Sequence, residues 1–298
     1  RYGKNCGYNR PHYLFWLGND YRNNYLCYVV DGMELELDSK ILSQALSTVE
    51  MKGKYMGDSG LINSSLGDFV KVFAIADGWR TGYYFCNGNN QTFVSYYLPA
   101  IIEENFDFVI NGALVSKHLK HIKGDVTLLI DDLCQIQSER KSVSVPITLI
   151  HPYEQALNTW LSLTREKCIY TPEIGELELR KNITLMNSAN LSMPYLRDAI
   201  ATCESVSSGI YTLVINDAGI QFMSSSDSGE QTFTSYDCTT NGGASISVTS
   251  PIHKAFSGSG SVNIYFNNDW GETEGQPLVI FSNNVCFIRA PYIQLEVE

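Results

Sequence analysis

The chain has 298 residues, enough for two domains of ordinary size, with 44% hydrophobic and 18% charged residues. Its net charge of −11 argues against binding to nucleic acid, because neutralising phosphates requires lysine and arginine. Nucleic-acid binding would be expected only if the positive charge were concentrated on one face. The 18 tyrosines and 13 phenylalanines, with recurrent valine, isoleucine and threonine runs, favour β-sheet.

Export, a membrane span and a bound metal are not predicted. No apolar stretch reaches the ~18 residues of a membrane span, and the first residues lack the apolar core of a signal peptide. The eight cysteines contain no C-x-x-C pair, and several lie in apolar runs typical of reduced core thiols. The N-x-[ST] sequons are as frequent as chance supplies for this content of Asn, Ser and Thr. We therefore expect an intracellular protein without a cofactor.

Residues 1–32 form an aromatic-rich N-terminal extension, which we expect to dock on another surface because loose rings would be poorly solvated. From Met33 the pattern changes: residues 34–38 alternate like a strand, and residues 39–49 place apolar side chains at helical spacing. Short apolar runs broken by turn residues then predict antiparallel strands, and residues 114–123 predict a second helix. These elements make up a first unit over residues 33–150.

Residues 151–179 are predicted to connect two domains, with a helix from His151 to Leu163 followed by an extended, proline-restricted stretch. The second unit, residues 180–298, repeats the order of the first, with a strand at 182–186, a helix at 193–203, further strands and a short helix at 251–256. A βαβββ pattern used twice indicates an internal duplication. The sequence thus predicts an α+β protein of two similar domains.

Five segments, in their order and spacing, resemble a known family. They are the strand and helix at 34–49, F-D-F-V-I-N-G-A-L-V-S-K-H-L-K-H-I-K-G-D-V-T-L-L-I-D at 106–131, S-G-I-Y-T-L-V-I-N-D-A-G-I-Q-F-M-S-S-S-D-S-G at 208–229, Q-P-L-V-I at 276–280 and F-I-R-A-P-Y-I at 287–293. Together they resemble DNA sliding clamps of the proliferating-cell-nuclear-antigen (PCNA) kind. The extension 1–32 has no counterpart in that family, and a cellular, viral or phage origin is left open.

The resemblance implies a non-enzymatic ring subunit, with helices lining a central hole and antiparallel sheets outside. Its implied partners are double-stranded DNA, held without regard to sequence, DNA polymerase and other clamp-binding peptides, and a clamp loader. Two-domain subunits of this kind close as trimers by symmetry. We therefore expect a homotrimer and no membrane partner, with edge strands near Val109 and at Thr232–Tyr236 pairing between subunits.

Lysines on helices that line a hole are candidate DNA contacts. The segment 114–123 contains three lysines and no acid, so its charge is +3 and that of the remaining chain is −14. The other candidate helices supply one cation each. The candidate DNA-binding residues are Lys40, Lys117, Lys120, His121, Lys123, Arg197 and Lys254. The alternative interpretation is that each is ordinary solvated surface on an amphipathic helix.

The resemblance also implies an apolar pocket between the connector and the C-terminal strand, into which partner peptides insert aromatic and aliphatic anchors. The matching positions are Ile169, Tyr170, Pro172, Pro277, Ile288, Ala290, Pro291 and Ile293. The alternative interpretation is that these residues complete the core, which is the favoured one for Ile288.

Other functional classes stay open as alternatives. A monomeric clamp-like processivity factor or a checkpoint-type subunit of a hetero-ring would use the same fold. A secreted or virion-surface β-rich binding protein is the rival from another class, and it would use the sequons and cysteines. An enzyme is not predicted, because the sequence has no nucleophile elbow or P-loop, and its histidines lack the spacing of a metal site.

Overall fold

A computed structural model of the chain describes residues 33–51, 67–76, 81–164, 174–179, 182–206, 209–249, 256, 258–282 and 284–292. The N-terminal extension 1–32 and nearly all of the short helix predicted at 251–256 lie outside these residues. Within them the chain is α+β and mostly antiparallel sheet, which confirms the predicted fold class.

The first unit begins with a strand that leads directly into a helix. Leu35 and Leu37 alternate with exposed glutamates in the strand, and Asp38 then caps the helix, its Oδ1 accepting from the backbone N–H groups of Lys40 (2.8 Å) and Ile41 (3.2 Å). The elements of this unit are β1 (Met33–Asp38), α1 (Ser39–Val49), β2 (Phe69–Ile75), β3 (Gly82–Gly88), β4 (Thr92–Pro99), β5 (Phe106–Asn111), α2 (Gly112–Leu119), β6 (Asp125–Ile130), β7 (Leu133–Ser138) and β8 (Lys141–Thr148).

The connector and the second unit follow. The connector contains α3 (Glu154–Thr164) and a small hairpin of β9 (Leu177–Leu179) and β10 (Ile183–Leu185). The second unit contains β11 (Asn187–Ser192), α4 (Met193–Val206), β12 (Ile210–Asn216), β13 (Gly219–Ser225), β14 (Gln231–Tyr236), β15 (Thr239–Asn241), β16 (Ala244–Thr249), β17 (Ser261–Phe266), a 3₁₀ turn (Gly271–Thr273), β18 (Leu278–Phe281) and β19 (Val285–Arg289).

The strands of both units join into a shared sheet. Its order is β1-β6-β7-β8-β5-β2-β3-β4-β19-β18-β17-β11-β15, and a second sheet has the order β14-β13-β12-β16. The units meet where β4 pairs with β19, over five residue pairs from Thr92–Arg289 to Tyr96–Val285. We call this pairing the internal junction.

The two units have the same strand pairing in the same register, which confirms the predicted duplication. Leu35 faces Leu128 as Ala189 faces Ile264, so β1-β6 corresponds to β11-β17. The remaining strand pairs also keep the same register in both units. The bridge between Val248 and Pro291, for example, corresponds to the pairing of Ile110 with Ile147. Thus β2, β3, β4, β5 and β8 correspond to β12, β13, β14, β16 and β19.

A glycine occupies the same place in both units. Gly82 begins β3 with φ +153°, and Gly219 begins β13 with φ +143°. A Cβ on either would collide with a carbonyl oxygen of the neighbouring strand, that of Leu98 in one unit and Tyr236 in the other. Only glycine fits such a position, since side chains clash with the backbone there.

Each face of the shared sheet carries its own apolar core. On one face, here called the inner face, α1, α2 and α4 pack on the strands through residues such as Leu42, Val115 and Leu196. On the opposite, outer face, α3 and the β9–β10 hairpin cover the junction between the units, with Leu157 and Trp160 buried. Helices therefore lie on both faces, and those of the two repeats lie on the inner one.

Three sequence predictions need correction. The second helix ends at Leu119 rather than Lys123, because the next backbone N–H groups bond only three residues back, that of His121 to the carbonyl of His118 (3.2 Å) and that of Ile122 to the carbonyl of Leu119 (3.0 Å). Val109 is not on an edge strand, since β5 is paired on both sides. The strand predicted at 182–186 is β10 of the connector, and the first strand of the second repeat is β11. The other predicted edge, Thr232–Tyr236, does lie on an edge strand, β14.

Candidate nucleic-acid interface

The lysines predicted to contact DNA gather at one end of α2 on the inner face. Asn111 caps the start of the helix by accepting from the backbone N–H of Leu114 at 2.9 Å, and Lys120 is its C-cap. Within this stretch the exposed cations are Lys117, Lys120 and Lys123, and the His121 ring is exposed beside them. We call Lys117, Lys120 and Lys123 the basic cluster.

The first turn of α1 and the β7–β8 hairpin lie beside this cluster. The backbone N–H of Ser39 donates to the carbonyl of Gly124 at 3.0 Å, which places the exposed Lys40 next to the turn that follows α2. From the hairpin, Lys141 Nζ donates to the carbonyl of His121 at 2.6 Å. The structure therefore brings Lys40 together with the lysines of α2, although they come from separate helices.

The described part of the second unit does not supply an equivalent cluster. Arg197 on α4 is exposed, but its Nη1 donates to the carbonyls of Phe256 (3.1 Å) and Gly258 (2.9 Å), so it braces its own unit. Next to it Asp198 accepts from the Tyr236 hydroxyl at 2.7 Å. Burial and this carboxylate raise the pKa of Tyr236 to about 12, so the phenol keeps its proton. Lys254 lies outside the described residues.

The positions of the basic cluster also have a structural explanation. Lys117 lies in the last turn of α2, and Lys120 caps it. Cations are favourable there because the helix dipole leaves partial negative charge at a C-terminus. Helix capping alone accounts for one or two lysines; it does not account for a run of three that excludes acids in a chain of net charge −11.

The residues predicted to form a peptide pocket are divided between core and surface. Ile288 and Pro277 are buried, and Ile288 belongs to the outer core beneath the connector, as the alternative interpretation has it. Ala290 and Pro291 are half-buried, and Ala290 packs against that core. Ile169, Tyr170, Pro172 and Ile293 lie outside the described residues.

The connector is held on the outer face by buried charges that the sequence analysis missed. Lys71 of β2 is almost fully buried, and its Nζ lies 2.9 Å from Asp107 Oδ2 and 2.6 Å from Glu154 Oε1. Burial would lower the pKa of Lys71, but the two carboxylates outweigh it and raise that pKa above its usual value. A lone lysine inside the apolar run F-V-K-V-F-A-I was the available signal.

His151 completes this anchor at the start of α3. Its Nδ1 accepts from the backbone N–H of Tyr153 at 3.1 Å, so the neutral ring carries its proton on Nε2 and donates to the carbonyl of Phe69 at 3.1 Å. Burial, opposed by that bond to Phe69, lowers the pKa of His151. The imidazole is therefore neutral and joins the start of α3 to β2.

Several chemical classes find no support in the described part of the chain. No three side chains among its His, Cys, Asp and Glu come together as a metal site would require. None of its helices is long and apolar enough to cross a membrane. Its five cysteines, at 86, 134, 203, 238 and 286, are free thiols, which removes one support for a secreted, disulfide-bonded protein.

No protein-family model matches the sequence, and comparison with curated proteins finds no match. Comparison with solved structures does. A DNA polymerase III β subunit from Borrelia burgdorferi, in complex with a natural product, has a TM-score of 0.62 at 13% identity, over 92% of this chain and 67% of that one. A PCNA from A. fulgidus bound to the C-terminal region of FEN-1 has 0.60 at 16% identity, over 88% and 99%. The chain has the sliding-clamp fold.

A third structure agrees with these two. A putative DNA polymerase III β subunit from Eubacterium rectale has a TM-score of 0.63 at 14% identity, over 90% of this clamp-fold chain and 67% of that one. The chain thus spans about two thirds of each bacterial clamp chain and almost all of the archaeal PCNA. Identities this low show a common fold, to which the duplicated register above independently points.

Proposed function

We propose that this protein is a sliding clamp, a ring subunit that encircles double-stranded DNA and tethers DNA polymerase and other peptide-bearing proteins to it. The observation that carries the proposal is the placement of the basic cluster and Lys40 on the inner, helix-bearing face of a duplicated clamp fold. A protein that holds duplex DNA without reading its sequence needs cations facing phosphates and little else. The protein would act wherever that DNA is, inside a cell, and without catalysing a reaction.

The acidic balance of the chain is compatible with this function. A monomeric factor that adheres to DNA needs a strongly basic surface, which a chain of net charge −11 lacks. A closed ring retains DNA by topology, so a few non-specific contacts suffice. The monomeric alternative is therefore the weaker of the two.

A homotrimer follows from the number of repeats. The chain covers 99% of the A. fulgidus PCNA but 67% of the Borrelia subunit, so its two repeats match the whole length of the former. Three copies of a two-repeat subunit give a ring of six repeats. A clamp loader is the partner that such a closed ring would require.

Partner peptides are proposed to dock beside the half-buried Ala290 and Pro291, where β19 leaves the sheet next to the connector. Ile288 is excluded as a direct contact because it is enclosed in the outer core. Replacing Pro291 and Ile293 together by alanine should abolish binding of a peptide that bears an aromatic pair while leaving the oligomer intact. Unchanged affinity would move the pocket elsewhere.

The decisive test measures retention on closed circular DNA, with a loading factor supplied, over a series of salt concentrations. Replacing Lys117, Lys120 and Lys123 by alanine should weaken retention for all sequences. It should also flatten the salt dependence by about 0.9 log units for each phosphate that a lysine no longer neutralises. Linear DNA is unsuitable, because a ring slides off an end.

The control must change net charge equally without touching the inner face. Gln135→Glu, Gln137→Glu and Thr148→Glu in one chain also make the net charge more negative by three, but on the outer face of β7 and β8 in the first unit. That variant should retain DNA like the wild type. Equal retention by the lysine variant at every salt concentration would show that the basic cluster is solvated surface.

A further inference from the structure

Among the strands with a free backbone edge, β14 of the second unit and β8 of the first are the counterparts of the two strands that pair at the internal junction. Within the described residues, β14 pairs with β13 and has no strand on its other side. Strand β8 pairs with β7 along its length, but with β5 only through Ile147 and Thr148, which leaves residues 141–145 open on one side. Exposed edges of this kind are templates for pairing with another chain.

The internal junction is a template for how these two edges fit each other. It pairs β4 with β19, and the duplication makes β14 the counterpart of β4 and β8 the counterpart of β19. If β8 pairs with β14 of a second copy in the register of the internal junction, Lys141 lies opposite Thr234 of that copy. Ser142 then lies opposite its Phe233, and Val143 opposite its Thr232. Phe233, 60% exposed in the single chain, would then lie against another strand across the seam.

The side chains at the two junctions differ in charge. At the internal junction a cavity of about 450 Å³ is lined from α1 by Gln44 and Thr48 and from the β18–β19 turn by Asn284 and Val285, all uncharged. The counterparts of Gln44 and Thr48 are Asp198 and Thr202 on α4. The counterparts of Asn284 and Val285 are Arg140 and Lys141 in the β7–β8 hairpin. The uncharged end of the internal junction thus corresponds to an acid and two cations at the seam between copies.

The geometry within the single chain supports this placement. Asp198 Oδ2 accepts from the Tyr236 hydroxyl at 2.7 Å, which fixes the carboxylate over the edge strand β14. Lys141 lies on the open edge of β8 and is bound to the His121 carbonyl. Asp198, Arg140 and Lys141 are all exposed, so each can meet a partner from outside the chain.

We propose that a second copy of this chain docks head to tail on β8 in this register, and that its Asp198 forms ion pairs with Arg140 and Lys141. The proposal rests on the proposed ring and adds how that ring closes. The closing seam would hold exposed ion pairs, whereas the side chains that line the cavity at the internal junction are uncharged, so ring closure should depend on salt more strongly than folding of the chain does. Opening the ring then requires separating charges as well as exposing Phe233.

Charge reversal with rescue tests the ion pairs. Reversing the basic side (Arg140→Glu with Lys141→Glu) or the acidic side (Asp198→Lys) should raise the concentration at which rings form by about tenfold or more, because like charges then face each other. Combining both reversals restores opposite charges and should return assembly towards the wild type. Glu272→Lys, outside the seam, makes the same charge change as Asp198→Lys and is the matched control expected to assemble normally. Mass photometry over a dilution series measures all four.

Cross-linking tests the register. Ser142→Cys with Phe233→Cys should form a disulfide between copies, since directly opposite residues have Cβ atoms about 5 Å apart. Ser142→Cys with Ser235→Cys, two residues out of register on the same face, should cross-link poorly. The wild-type ring should also dissociate more readily in about 1 M than in about 0.1 M salt, where screening is weaker.

The outcomes separate this inference from the proposed function. If salt does not affect the wild-type trimer, both reversal variants assemble like it, and the ring is still retained on closed circles, the ion pairs are wrong and the clamp function is unaffected. Efficient cross-linking of the out-of-register pair overturns the register. A chain that stays monomeric at every concentration and is not retained on circles contradicts both.

Discussion

The two units share a fold and a register, yet the outer faces of their last two strands are chemically opposite. In the first unit Gln135 and Ser144 face outward from β7 and β8. Their counterparts in β18 and β19 are Val279 and Ile288, both fully buried. The difference follows from the connector, because α3 and the β9–β10 hairpin cover β18, β19 and the internal junction, and the described part of the connector does not cover β7 and β8. What covers a sheet, rather than the fold of the sheet, decides the side chains on that face.

The largest expected effect comes from removing the side chain that seats the connector. Trp160 is buried against the outer core, and its Nε1 donates to the carbonyl of Asn89 at 2.7 Å. Trp160→Ala should lower the free energy of unfolding by about 3–5 kcal/mol, measured by denaturant titration. Trp270, 61% exposed, is the matched control, and Trp270→Ala should stay within about 0.5 kcal/mol. Equal losses in the two variants would contradict the covering role of α3.

The comparison between the units predicts that a buried outer residue of the second unit cannot be replaced by its polar counterpart from the first. Val279→Gln gives the covered face the residue of the open one. It should cost about 3 kcal/mol, because an amide is buried without water and the core is overfilled. Thermal unfolding followed by circular dichroism measures the loss. A wild-type melting temperature in this variant would mean that the connector leaves Val279 accessible.

The charged anchor beneath α3 should be nearly as important as its apolar contacts. Lys71→Met leaves the carboxylates of Asp107 and Glu154 without their cation, and we expect a loss of about 3 kcal/mol. Neutralising all three positions together (Lys71→Met, Asp107→Asn, Glu154→Gln) should recover most of it, because no uncompensated charge remains. A triple variant as unstable as Lys71→Met would show that packing, not charge, is responsible. Urea titration at neutral pH compares them.

Sequence patterns predicted the repeats well where local signals agree with packing. Asp38 before Ser39, with Leu42, Ala45, Leu46 and Val49 beyond, defines a capped amphipathic helix without reference to the rest of the chain. By contrast, β11 reads N-S-A-N-L-S and has little intrinsic preference for a strand. It is a strand because it pairs between β17 and β15, and pairing partners distant in sequence are invisible to a local pattern.

The candidate site was predictable to the same extent. The lysines of α2 stand out as a run without acids, so their clustering could be predicted from sequence alone. Lys40 lies beside them because the backbone of Ser39 bonds to Gly124. Arg197 is held within its own unit by two carbonyls about 60 residues away in the chain. Such long-range contacts are set by topology, which single residues do not encode.

A smaller effect should appear as the pH falls. Burial lowers the pKa of His151 below the ordinary ~6.5 of the unfolded chain, so the unfolded state takes up the proton first. The contribution of His151 is therefore complete above about pH 6.5 and declines as the pH falls through its folded-state value, by at most about 1.4 kcal/mol per pH unit. His151→Gln should flatten the stability curve in that window. Lys71 and Glu154 lie beside the ring, but Glu154 titrates at lower pH because Lys71 outweighs burial and lowers its pKa. Urea titrations from pH 7.5 to pH 5.5 give the free energy of unfolding of the wild type and of His151→Gln. If the two plots against pH run parallel, the His151 ring already bears a charge and the prediction is wrong.

The smallest expected effect is the reverse exchange on the open face of the first unit. Gln135→Val installs the residue that the covered face has at the same register position, on a strand where β-branched side chains are favoured. The free energy of unfolding should change by less than about 0.5 kcal/mol, because no described part of the connector lies over β7 to be displaced or better packed. Denaturant titration beside Val279→Gln measures both directions of the exchange under one condition. If Gln135→Val instead stabilised the chain by more than about 1 kcal/mol, a segment outside the described residues would have to cover this face, since only burial supplies that much for a valine. The open face of the first unit would then be covered like that of the second, and the contrast between the units would be one of coverage by different segments.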